Sequence, residues 1–168
     1  KNNVIIVTPA GRKQYLLKLV KHLEQQKESF AEWHLWNNTR DDKDESFLYE
    51  LQKQYDWIKV INRELGSLKG QNSGISKFFD YTTDPNKIYI RLDDDIIWLQ
   101  DDFVKNMVNF RVQHPKYLFV TANVVNNNVI AHISLSELSL SSLRRQLHNS
   151  NNRIRDVVVK ATTGPKGP

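Results

Sequence analysis

The chain has 168 residues, 39% of them hydrophobic, and 24 Lys and Arg against 19 Asp and Glu. That suits one globular domain with a real core. With no cysteine, disulfides, thiolate metal sites and cysteine nucleophiles are excluded, and no apolar run approaches the roughly 18 residues of a membrane span.

The expected location is the cytoplasm or another soluble compartment. The chain begins at Lys1 rather than Met, as a mature product or part of a longer multidomain chain would. Most of the excess positive charge falls after residue 136, where Arg144, Arg145, Arg153 and Arg155 stand out. Such a tail can meet phosphates, nucleic acid or an anionic membrane. A solvated helix face is the simpler account, and no nucleic-acid partner is expected.

"NNVIIVTPAGR" predicts a buried strand that ends at Thr8-Pro9-Ala10-Gly11. Residues 12–29 predict a helix, with Leu16, Leu19, Val20 and Leu23 on one face. "EWHLWNNT" (32–39) predicts a second strand. The acidic loop Asp41 to Glu45 is placed to cap a helix whose apolar face is Phe47, Leu48, Leu51 and Tyr55. "DWIKVINRE" (56–64) predicts a third strand. "LGSLKGQNSGISKFFDY" (65–81) is a glycine-rich loop that turns helical, and "IYIRL" predicts a fourth strand. Asp101 or Asp102 is positioned to N-cap a helix running to about residue 113, with Val104, Met107 and Val108 inward and Pro115 ending it. "KYLFVTANVV" (116–125) predicts a fifth strand. A Ser/Leu-rich helix (136–147), a short "VVV" strand and a loose end follow.

Alternating strands and helices predict α/β units around a mainly parallel sheet. The expected layout is a core at 1–134, a helix-and-strand extension of the same domain at 135–160, and a flexible tail at 161–168. In open α/β sheets ligands bind beyond the carboxyl ends of the strands. That rule singles out Thr8–Arg12, Asn37–Thr39, the segment 66–74 and Asp93–Asp95.

The run Asp93-Asp94-Asp95 carries the most chemistry. Three like charges at the edge of an apolar strand are opposed by repulsion and desolvation, so something positive must offset them. In an extended strand Asp93 and Asp95 would share one face, with Asp94 on the other. Two carboxylates on one face make a hard-oxygen site suited to Mg²⁺ or Mn²⁺. A bare D-x-D also occurs by chance in turns and helix caps. "KGQNSG" offers backbone N–H groups and a lysine to phosphates, without the spacing of a known phosphate loop. Three of the four tryptophans, Trp33, Trp36 and Trp57, fall in predicted strands and read as core.

Taken in order, "VTPAGR", "GQNSG" and "IRLDDDI" resemble nucleotide-sugar glycosyltransferases of the GT-A fold, the class with a DXD metal motif. "FRVQHPKYLFVTANVVNN" adds a resemblance to a subgroup of glycosyltransferases from viruses, bacteria and fungi. It covers roughly residues 3–133. It implies a Rossmann-like GT-A fold and a metal-dependent transfer from a UDP- or GDP-sugar to a carbohydrate or glycoconjugate acceptor.

The resemblance also implies roles for residues. Asp95 and Asp93 would be catalytic through the metal, with Asp93 also near the ribose and Asp94 beside the nucleotide. Thr8, Pro9, Ala10 and Arg12 would line base and ribose, and Asn37 or Asn38 would approach the base. Asn72 and Gly74 would open the helix that packs on the donor. Gln71 stands where relatives carry an arginine, leaving Lys69 as a substitute phosphate contact. Asn123, His132, Glu137 and Asp156 are the candidates for acceptor contact or general base. Glu137 and Asp156 are the only carboxylates after residue 102, so a degenerate or truncated nucleotide- or sugar-binding module is the alternative. A nucleotidyltransferase fits less well, because "TPAGRKQ" has a single glycine. The sequon Asn37-Asn38-Thr39 falls at the expected donor site, and no glycan is expected there.

Overall fold

The structure is a computed structural model that describes residues 3–122. The chain divides after Ile97 into two compact units. The first holds β1 (Val4–Ala10), α1 (Lys13–Gln25), β2 (Glu32–Asn37), α2 (Asp42–Gln54), β3 (Ile58–Ile61), α3 (Asn72–Ile75) and β4 (Ile88–Arg91). Its strands form one parallel sheet in the order β3-β2-β1-β4. This is the α/β, Rossmann-like architecture expected from the alternation of elements.

Every residue of β1 is buried. A central parallel strand is covered on both faces, which is why it reads as an unbroken apolar run. In α1 the buried residues are Leu16, Leu19, Val20 and Leu23, the predicted face. The helix stops at Gln25 rather than 29, because Gln26 leaves helical geometry and a separate 3₁₀ turn, Lys27–Ser29, follows. α2 is capped as its sequence suggests, with Asp41 accepting from the Lys43 and Asp44 N–H groups. Phe47, Leu48 and Leu51 are its buried positions, while Tyr55 is its half-buried C-cap.

The two faces of the sheet are closed differently. The face bearing Thr8, Trp33 and Asn37 meets α2, whose Glu45 accepts from the Asn37 amide. On the opposite face Ile5, Val7 and Trp36 form a buried cluster with Leu65 and Phe78 from the loop segment after β3. Trp36 stacks on Phe78 at 5.5 Å, and Trp33 stacks on Trp57 at 6.2 Å. Trp33, Trp36 and Trp57 are core, as expected.

The second unit contributes α4 (Phe103–Gln113), with Phe103, Val104 and Met107 buried. Its N-cap is Asp102, whose φ of 60° is in the left-handed region and whose side chain makes no capping hydrogen bond. Aspartate tolerates that conformation better than most residues, so its contribution is to backbone geometry. His114, just before Pro115, is the C-cap. The expected fifth strand does not form over its described part: 116–122 carry no strand, and Leu118 and Phe119 are exposed. An apolar run becomes a strand only where its backbone finds a ladder partner. The rest of that run, the 136–147 helix, the "VVV" strand and the tail at 161–168 lie outside the described residues.

Candidate functional site

From β1 the chain steps outward to β2 and β3, then returns to the other side of β1 for β4. The reversal creates a topological switch point between the carboxyl ends of β1 and β4, where a crevice opens in such sheets. A cleft of about 810 Å³ lies there. Its walls are Pro9–Arg12 at the end of β1, Asn38–Asp41 with Asp44 after β2, Gly70, Asn72, Ile75, Ser76 and Phe79 after β3, and Arg91 with Asp93–Asp95 at the end of β4. The structure therefore brings all four predicted loop segments to one place.

The strands stop at different heights. β1 pairs with β4 only as far as Val7 with Arg91, but with β2 as far as Ala10 with Asn37. One further hydrogen bond, from the Leu92 N–H to the Val7 carbonyl, closes the β1–β4 ladder. The next rung would need an N–H from residue 9. Proline has none.

β4 thus ends at Arg91, and Asp93–Asp95 lie in a turn rather than on a strand. This corrects the expectation that strand alternation sorts the three carboxylates; hydrogen bonding does. Asp94 turns inward, with its side chain 9% exposed. One oxygen accepts from the Gly11 N–H at 3.0 Å, and the other from Arg12 Nε at 3.0 Å and from Arg12 Nη2. Asp95, 51% exposed, lies 3.3 Å from Arg12 Nη2. Asp93, 62% exposed, accepts from Arg91 Nη2 at 3.0 Å. Arg12 and Arg91 supply the positive charge that the aspartate run needs. The hydrogen bond to Asp94 in turn raises the Arg12 pKa further above its ordinary value.

A second set of contacts fixes the opposite wall. The Asn38 amide donates to the Gln71 carbonyl at 3.1 Å, and its oxygen accepts from the Gly70 N–H at 3.0 Å. Arg40 Nε donates to the Lys69 carbonyl, and Arg40 Nη2 to that of Ser67 at 2.9 Å. Gly70 has φ +74°, and a Cβ there would meet Arg40 Cγ at 2.9 Å. A Cβ at Gly74 would lie 2.4 Å from the Leu68 carbonyl oxygen. Both glycines therefore serve close packing of this loop.

Several predicted residues stand behind the walls. Thr8 is fully buried, its hydroxyl accepting from Trp33 Nε1. Asn37 is buried and donates to Glu45 at 2.6 Å and to Asn62 at 2.9 Å. That nitrogen is the one a sequon would glycosylate. Lys69 pairs with Glu45 at 3.1 Å. The Asn37 hydrogen bond, and then Lys69, hold the Glu45 carboxyl below its ordinary pKa. Asn123, His132, Glu137 and Asp156 lie outside the described residues. The sequence did not single out Arg40, Asp41, Asp44, Ile75, Ser76, Phe79 and Arg91 as cleft residues. The switch-point rule reaches Arg40 and Arg91 as neighbours of strand ends, but nothing in the sequence marks Phe79.

A parallel α/β sheet with an acidic cleft at its switch point has the Rossmann-like GT-A architecture. The sequence matches the family model described as Glycosyl transferase family 2 over residues 4–164, and the chain belongs to that family. Glycosyl transfer is the activity this membership carries. No curated protein matches the chain.

Proposed function

We propose that the cleft binds a nucleoside-diphosphate sugar of the UDP or GDP type together with Mn²⁺ or Mg²⁺, and passes the sugar to a carbohydrate or glycoconjugate acceptor. The supporting observation is the division of labour among the aspartates. Asp94 is consumed by Gly11 and Arg12, while Asp93 and Asp95 line the cleft with much of their surface open. Within the family this reading assigns the chain to the DXD-bearing enzymes, in the viral, bacterial and fungal subgroup that its "YIRLDDD" and "TANVVNN" segments resemble. It assigns donor binding to residues 1–134, extended by 135–160 and a tail.

The donor set suits such an ion. Carboxylate oxygens are the hard ligands that Mg²⁺ and Mn²⁺ prefer, and a site of one or two carboxylates leaves positions to water and phosphate. Among the described residues no three His, Asp or Glu converge as a ligand set; Asp93 and Asp95, open on the cleft wall, would be the holding pair. When bound, the ion supplies positive charge to the departing diphosphate. The chain's own residues orient the site. Arg91 fixes Asp93, Arg12 fixes Asp95, and Asp94 holds Arg12 in place. Pro9 and Ala10 form part of the wall against which the nucleoside lies, and Asn72 faces it across the cleft. In the reaction an acceptor hydroxyl oxygen bonds to the anomeric carbon, the bond from that carbon to the diphosphate breaks, and the hydroxyl gives up its proton to a base.

The test is a thermal-shift titration with UDP and GDP, each with and without Mn²⁺. One diphosphate should raise the melting temperature in a metal-dependent way, and Asp95→Ala should abolish that dependence while leaving the unliganded fold intact. An Asp95→Ala protein that keeps the metal-dependent shift refutes the assignment.

A further inference from the structure

We infer that Arg40 is the anion contact of the cleft, the side chain that meets the diphosphate of the donor. The inference rests on the donor reading above and adds to it a residue that neither the aspartate run nor the glycine-rich loop singles out.

Three arginines line the cleft: Arg12, Arg40 and Arg91. Two are committed to carboxylates, Arg12 to Asp94 and Asp95, and Arg91 to Asp93. Lys69 is paired with Glu45. Among the described residues Arg40 has no carboxylate partner; its hydrogen bonds run to backbone carbonyls. The two acids that line the cleft beside it bond to backbone N–H groups rather than to Arg40. Asp41 accepts from the N–H groups of Lys43 and Asp44, and Asp44 accepts from the N–H of Lys13. A ligand diphosphate approaching Arg12 or Arg91 must compete with carboxylates already in place. At Arg40 it meets a guanidinium that no carboxylate pairs.

The guanidinium is also held in advance. Nε and Nη2 bond to the carbonyls of Lys69 and Ser67, while the methylenes lie over Gly70, which has no side chain to push them away. These bonds fix the guanidinium plane and leave its remaining N–H groups for a ligand. A planar fork suits phosphate oxygens, and charge-assisted bonds from it are stronger than neutral ones. Immobilising the side chain before the ligand arrives reduces the ordering cost of binding.

The experiment is calorimetric titration of wild type, Arg40→Gln, Arg40→Lys and Asn38→Ala with UDP, GDP, uridine, guanosine and inorganic pyrophosphate, in Mn²⁺ buffer. Arg40→Gln should weaken the preferred diphosphate about tenfold or more, roughly the worth of one charge-assisted bond, and leave the matching nucleoside unchanged. Arg40→Lys should recover part of the loss. Asn38→Ala loosens the same loop without removing the cation, and should affect nucleoside and nucleotide alike. Wild-type affinity for the diphosphate in Arg40→Gln overturns this inference and leaves the donor reading standing. Equal loss of nucleoside and diphosphate in Arg40→Gln overturns it too, making Arg40 a loop strap only. If no nucleotide binds wild type, the donor reading fails, and pyrophosphate decides the matter: binding that is lost in Arg40→Gln sustains the anion contact, and any other result overturns it.

Discussion

At Asp94 a carboxylate with 9% of its side chain exposed joins the loop after β4 to the loop after β1. Removing it leaves the Gly11 N–H and the Arg12 guanidinium without their acceptor. Because Arg12 is 49% exposed, water compensates part of the loss. Asp94→Ala should cost about 1–3 kcal/mol in urea unfolding, while Asp93→Ala, on an exposed side chain, should stay within about 0.5 kcal/mol. The sequence shows three identical letters here. The choice among them is made by Arg12, 82 positions away, and no local pattern carries that information. Glu45 makes a second residue-level prediction. Its pKa is lowered from 4.5, first by Asn37 and then by Lys69. A depressed carboxylate contributes stability that is complete above its unfolded-state pKa and lost as pH falls through the folded value. Stability measured below pH 4.5 should therefore fall less steeply in Glu45→Gln than in wild type.

For whole elements, legibility follows periodicity and partners. The stripe Leu16, Leu19, Val20 and Leu23 identified α1 because helical spacing and burial agree. Leu16→Ala should cost about 2–5 kcal/mol by chemical denaturation, while Leu17→Ala, at a position 43% exposed, should cost far less. The run 116–125 shows the limit. Its composition suits a strand, but the ladder that would make it one is a property of other chain segments. The loop 66–74 lies between these cases. Its glycines marked a loop with backbone N–H groups to offer, but the groups they make room for, Arg40 and the Leu68 carbonyl, are visible only in three dimensions. Gly74→Ala forces a Cβ to 2.4 Å from a backbone oxygen. It should destabilise by about 1–3 kcal/mol and shift the loop, read as faster amide exchange at Gly70 and Gln71.

At the scale of the whole molecule, the parallel sheet was legible from the alternation of strands and helices, and the carboxyl-edge rule located the cleft loops. The order β3-β2-β1-β4 was not, because either edge of β1 accepts a parallel strand. The order decides function, since it is the reversal between β3 and β4 that gathers an acidic turn and a basic loop around one crevice. If Asp93 and Asp95 hold an ion against a diphosphate, ion and nucleotide must strengthen each other reciprocally. The factor by which Mn²⁺ raises nucleotide affinity should equal the factor by which the nucleotide raises Mn²⁺ affinity, measured in paired titrations. Equal affinities with and without the partner would show that the two do not meet.

Pro9 has a consequence for the lifetime of this crevice. Parallel strands tend to zip together while each new rung finds a donor, and β1 continues past the point where β4 lets go. With a hydrogen at residue 9, the chain after Leu92 could close another rung, straighten the aspartate turn into sheet and narrow the crevice from its floor. The ring at Pro9 acts as a permanent doorstop: a single absent hydrogen keeps the two strands apart where the aspartates have to turn.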